Sequence, residues 1–202
     1  MKMKFSGSRA RGSNKRQSGD FMWQTHFIGV LLPDDITTKL EMARHYMAEH
    51  YGCKSGHSTP IHVTLVPPFH LPEDYSTDDL VRGLDNGLSG KKLGFTSHLE
   101  NFSAFGDRTV FGKVIPSASW VELRDEILRS ILEACPGCTK KDSRPFQPHA
   151  TVANRDIPSG VSVEALQVLN GMNLIEDFPV ESISIFERIS GRWEASVTMD
   201  LN

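Results

Sequence analysis

The feature that most constrains this chain is a short pattern that occurs twice. His62-Val63-Thr64-Leu65, within "PIHVTLVPPF", and His149-Ala150-Thr151-Val152, within "FQPHATVAN", both read His-x-Thr-apolar, and they lie 87 residues apart. Each has a proline one or two residues ahead of its histidine. Such alternation is a β-strand signal, and residues two apart on a strand share a face. Each segment therefore sets an imidazole beside a hydroxyl. With eight His and eleven Thr in 202 residues, chance supplies about 0.4 His-x-Thr matches, so the bare pattern is weak. A third match, His57-Ser58-Thr59, lies between Gly56 and Pro60 with no apolar residue after it, and reads as loop.

The setting of the pair is more specific. A buried strand is expected over 25–33, a helix over 34–51 from the spacing of Ile36, Leu40, Ala43 and Met47, then a loop and the strand from His62, stopped by Pro67-Pro68. A second helix is expected within 72–88, capped by Asp or Thr, and two strands over 94–106 and 108–115 with a tight turn at Gly106-Asp107-Arg108. The order then repeats. An amphipathic helix over 117–135 puts Trp120, Leu123, Ile127 and Ile131 on one face. A loop, the His149–Asp156 strand and a helix over 162–172 follow, and strands over 178–190 and 192–201 close as a hairpin around Ser190-Gly191. The fold class this predicts is α+β and bilobal: two pseudo-twofold-related lobes of antiparallel sheet plus helices around a central cleft. The lobes are expected at about 21–100 and 101–201 of a single domain, 21–201, with strand exchange between them left open.

Composition bounds the partners. No apolar run approaches the ~20 residues of a membrane span, and the N-terminus has no apolar segment behind its basic residues. The expected location is cytoplasmic, without a membrane partner, and no obligate protein partner is evident. Residues 1–19 carry six Lys/Arg and no acid, which leaves the remainder at 16 basic and 25 acidic residues. Residues 1–20 are too poor in apolar groups to order themselves and read as a disordered basic leader, or as an arm that raises affinity for RNA. Three cysteines without a signal sequence argue against a disulfide framework, and Cys135-Pro-Gly-Cys138 reads as a turn with reduced thiols.

If the halves pack about a twofold axis, the two strands present both imidazoles to one site. Imidazole titrates near neutrality, so one ring can be neutral and the other protonated. Such a pair serves acid–base catalysis at phosphorus: one ring takes the proton of the attacking hydroxyl or water, and the other protonates the departing oxygen. Thr64 and Thr151 then donate to the non-bridging oxygens as their charge rises. This chemistry requires no metal and no cofactor.

These motifs, with "FIGVLLPDDI" at the start of the first half and "FSAFGDRTVFGKV" before the third helix, resemble those of the 2H phosphoesterase superfamily, specifically the 2′-5′ RNA ligase family. The resemblance covers about residues 21–201. It implies a bilobal fold and metal-independent action on 2′-5′ linkages or 2′,3′-cyclic phosphate ends, with possible reverse ligation. His62 and His149 match its catalytic pair, and Thr64 and Thr151 its phosphate-holding hydroxyls. Relatives often place a basic residue soon after a motif. Here Val66 follows the first, and the nearest base after the second is Arg155, either a substrate contact or a strand-end surface arginine. Phe69 either stacks on a base or packs under Pro67-Pro68. The expected ligand is a small nucleotide or RNA terminus. The alternative is a non-catalytic RNA-end or nucleotide-binding module, and a third reading is hydrolysis of another cyclic phosphodiester.

Overall fold

The computed structural model describes residues 24–140 and 144–201, and the basic leader lies outside them. Helix α1, Asp34–Tyr51, buries Ile36, Leu40, Ala43 and Met47, the residues whose spacing predicts it. It ends at Gly52, whose φ of 72° lets its N–H turn back to the last carbonyls. Helix α2, Thr77–Leu88, is capped by Ser76 rather than by Asp or Thr. The Ser76 hydroxyl accepts from the Asp79 N–H while the Asp79 carboxylate accepts from the Ser76 N–H, a reciprocal box that satisfies two otherwise orphaned donors. Helix α3, Ala118–Ala134, turns Trp120, Leu123, Ile127 and Ile131 into the core. Helix α4 spans Val161–Leu169.

Among the described residues, eight strands form one antiparallel sheet. They are β1 (His26–Leu31), β2 (His62–Phe69), β3 (Phe95–Ala104), β4 (Thr109–Val114), β5 (His149–Asn154), β6 (Ile175–Val180), β7 (Ser182–Ile189) and β8 (Arg192–Asp200). The order is β6-β3-β4-β5-β2-β1-β7-β8, so the two His-bearing strands are central neighbours, paired at Val63↔Ala150. Each half of the sheet draws on distant parts of the chain: β7 and β8 extend the β2 side, and β3 and β6 the β5 side. The helices exchange in the same sense. The helix α1 that leads into β2 packs on β5, and the helix α3 that leads into β5 packs on β2.

The segment 178–190, expected as one strand, is divided between β6 and β7. They pair with β3 and β1 respectively, towards opposite ends of the sheet. Only Glu181 joins them, and one residue spans at most about 3.6 Å. The sheet must therefore curl until its ends meet. The β7–β8 ladder runs on to this joint, where the Leu201 N–H donates to the Glu181 carbonyl at 2.7 Å. Pro179 is tolerated in β6 because that strand lies on the sheet edge.

Candidate active site

In β2 and β5 the burial sequence is the same over five residues: His, Thr half-buried, the residue between them buried, then two buried residues in succession. Val63 and Ala150, both fully buried, face the helix-covered core. His62, Thr64, His149 and Thr151 face the other way and line one cleft of about 920 Å³. An antiparallel register continued one residue each way from Val63↔Ala150 sets His62 opposite Thr151 and Thr64 opposite His149. The two histidines are then diagonal neighbours, a relation of about 7–8 Å between strands.

The consecutive buried pairs have a common cause. The partner strand β1 pairs Gly29 with Thr64 and Ile28 with Val66, which leaves Leu65 unmatched. Strand β4 pairs Phe111 with Thr151 and Val110 with Ala153, which leaves Val152 unmatched. Each half thus carries a β-bulge three residues after its histidine. The apolar residue that completes the motif is the extra residue of the bulge, and such bulges re-aim side chains next to sites.

Both rings are held by backbone. The His62 Nδ1–H donates to the Pro60 carbonyl at 2.7 Å, and the His149 Nδ1–H to the Gln147 carbonyl at 2.8 Å. A carbonyl can only accept, so Nδ1 carries the proton in each ring and Nε2 is the nitrogen left for chemistry. His62 Nε2 accepts from the Thr64 hydroxyl at 3.0 Å. Aromatic rings back both imidazoles. Phe27 and Phe186 lie 4.6 and 5.3 Å from His62, and Phe111 and Phe105 lie 5.1 and 5.2 Å from His149.

Burial among these rings disfavours the imidazolium form. It pushes the pKa of His62 down to about 4, with the charges of Arg44 and His149 acting in the same direction and the bond to the Pro60 carbonyl opposing them. Burial also lowers the pKa of His149, against its bond to Gln147. In the open cleft burial therefore favours the neutral form of both rings, His62 the more strongly.

The structure brings Arg155 to the cleft wall, on an exposed turn with a left-handed φ of 68°. It does not bring Phe69 there. Phe69 lies in the core at 4% exposure with its ring stacked on His26; it stands an odd seven residues from His62, and the two register shifts between β1 and β2 cancel, so it keeps the face opposite the histidine. His57-Ser58-Thr59 forms a turn outside any strand. Cys135 and Cys138 also lie on a turn, with free thiols. Sequence reasoning missed Arg44, Arg124, Arg144, Arg188, Phe27 and Trp193, which also line the cleft. Among the described lining residues there are five arginines and no carboxylate, although the chain beyond residue 19 has an excess of acids.

The profile of the 2′-5′ RNA ligase superfamily matches residues 32–192, a span that contains both motifs and both bulges. The chain belongs to the 2′-5′ RNA ligase superfamily. That superfamily is of the 2H phosphoesterase type, and membership supports a phosphoesterase activity of that type. No match was found among curated proteins. Solved structures share the fold. TT0787 of Thermus thermophilus aligns with a TM-score of 0.60 at 21% identity, over 88% of this chain and 97% of its own. E. coli LigT complexed with 3'-AMP aligns at 0.61 and 18% identity, over 89% and 98%. The MHV ns2 PDE domain aligns at 0.56 and 17% identity, over 81% and 99%. In this superfamily member no helix among the described residues is long and apolar enough to cross a membrane.

Proposed function

We propose that this chain is an RNA-type phosphodiesterase that opens 2′,3′-cyclic phosphates or cleaves 2′-5′ linkages, with His62 and His149 as the acid–base pair. The observation that carries this reading is the pair of tautomer-locked imidazoles lining one cleft, each with a threonine two residues on along the same face. The E. coli LigT structures complexed with 3'-AMP, ATP and NADP+ support a nucleotide ligand for a cleft of this fold.

In the reaction a water O–H gives its proton to Nε2 of one histidine as its oxygen bonds to phosphorus. The bond from phosphorus to a ribose oxygen breaks, and the other histidine, protonated, supplies that oxygen with a proton. The product is a monoester, the two rings end with exchanged protonation, and solvent resets them. With a 5′-hydroxyl in place of water, the same attack on a 2′,3′-cyclic phosphate joins two ends through a 2′-5′ linkage as the bond from phosphorus to the 3′ oxygen breaks and that oxygen takes the proton. The anionic phosphodiester supplies the missing proton affinity, since a negative charge between the rings favours the imidazolium that the open cleft disfavours. Protonation also frees a donor: a His62 Nε2–H donates to the Thr64 oxygen and releases the threonine hydrogen for a phosphate oxygen. Because side chains supply acid, base and oxyanion donors, no step requires a metal.

The test is incubation with nucleoside 2′,3′-cyclic phosphates and 2′-5′-linked dinucleotides in the presence of a chelator, with products separated by chromatography. Monoester formation is the expected result. Tight binding without turnover would make the cleft an RNA-end or nucleotide-binding module. Turnover confined to other cyclic phosphodiesters would move the substrate outside RNA.

A further inference from the structure

Two of the cleft's arginines occupy matching places that the mechanism above leaves unused. Arg44 stands on α1 and Arg124 on α3, the helices that lead by loops into β2 and β5. Their side chains are only 8% and 12% exposed, an expensive location for a guanidinium. Arg44 Nη1 donates to the Thr59 carbonyl at 3.0 Å and to Glu41 at 2.9 Å. The guanidinium of Arg124 lies over the ring of Phe146, 5.4 Å from its centroid, and pairs with Asp125 at 2.9 Å. Thr59 and Phe146 are each three residues before a histidine, and each precedes the residue whose carbonyl holds that histidine's Nδ1–H, Pro60 and Gln147.

We propose that Arg44 and Arg124 are positioning residues, one for each histidine, that fix the residue three places upstream and through it the carbonyl that aims the ring. This rests on the reading of His62 and His149 as the acid–base pair. The two devices differ in kind. Arg44 holds a backbone carbonyl through a single nitrogen, Nη1, which it shares with Glu41, whereas Arg124 holds a side-chain ring by its face. They differ also in charge. The groups whose charge acts on His62 are Arg44 from α1 and His149 from β5, while β1 and β7 face it with the rings of Phe27 and Phe186. For His149 the leading influence is burial, opposed by its bond to the Gln147 carbonyl.

The experiment combines steady-state kinetics on a nucleoside 2′,3′-cyclic phosphate with an NMR titration of the imidazoles in the full chain. Arg44→Met is expected to lower kcat by about 10- to 100-fold with KM within about threefold, since small misplacements of a reacting group are costly. It should also move the His62 titration up by about half a pH unit or more. Arg44→Lys keeps the charge but not the planar group that sets Nη1 between the Thr59 carbonyl and Glu41, so kcat falls while His62 titrates as before. Arg124→Met should lower kcat without moving the His62 midpoint, and combining it with Phe146→Leu should add little. A rise in KM at unchanged kcat would make the arginines substrate contacts and overturn the proposal. So would folded variants with unchanged kcat and unchanged imidazole signals. If the wild-type protein turns over no phosphodiester, the catalytic reading fails, and the imidazole spectra still decide whether each arginine sets its ring.

Discussion

The β2 and β5 halves of the site are copies in local geometry and differ in surroundings. Both carry a histidine with Nδ1 tied to the carbonyl two residues before it, a threonine on the same face and a bulge three residues on. Yet His62 is buried against Phe27 and Phe186 and feels Arg44, which together push it to about 4, while His149 is lowered by burial among Phe105 and Phe111. Repetition of a motif therefore reproduces hydrogen-bond geometry. It does not reproduce proton affinity, which depends on what the rest of the fold brings near.

The largest expected effect tests the shared part of the comparison. His62→Ala and His149→Ala should each lower kcat by about 10²–10⁴-fold, the usual contribution of a positioned acid or base. Rate assays on purified variants measure this, and a variant with wild-type turnover would remove its half from the chemistry. Next are Thr64→Ala and Thr151→Ala, for which a loss of about 10²-fold is expected in kcat, as for other donors to a developing charge. Serine at either position should restore most of the rate.

A third experiment separates the halves. A Cβ on Gly29 would lie 2.8 Å from the Val63 carbonyl oxygen and 3.1 Å from His62 Cδ2, so Gly29→Ala presses on β2 and the His62 ring. A Cβ on Gly112 would meet Leu40 Cδ2 at 2.7 Å, on the core side. Both variants should lose about 1–3 kcal/mol of stability by overpacking, read from denaturant melts. Only Gly29→Ala should lose turnover beyond what its folded fraction explains.

The smallest effect is a displaced optimum. In the free protein one ring must be neutral and the other protonated. Activity as kcat/KM rises with pH as the lower-titrating ring loses its proton near 4, and falls as the other loses its own below the ordinary 6.5. The maximum should lie between these values. The kcat profile should sit at higher pH, because bound anion raises both affinities. A kcat/KM maximum at or above pH 7 would contradict the burial of these rings.

Much of the fold was legible because its elements are locally consistent. The apolar stripe of α1 and the Trp120–Ile131 face of α3 are helical periodicities that the tertiary structure only uses. The break at Glu181 was not legible: the one proline nearby, Pro179, lies inside β6 and not at the joint, and the division between β6 and β7 exists because they pair with strands at opposite ends of the sheet. Phe69, by contrast, was legible: it stands an odd seven residues from His62, so alternation alone gives it the core face on which it lies. Arg44 and Arg124 sit beside buried stripe residues, at Ala43 and Leu123, and in sequence look like ordinary helix-surface charges.

The sequence by itself determined which atoms are available: two imidazoles and two hydroxyls on alternating segments, because side-chain alternation along a strand is a local property of the backbone. The tertiary structure alone decided that the two segments are neighbours, where the bulges fall and how strongly each ring holds a proton. Those depend on pairing and on charges and rings contributed by β1, β4, β7, α1 and α3, and interactions across such sequence distances leave no local pattern to read.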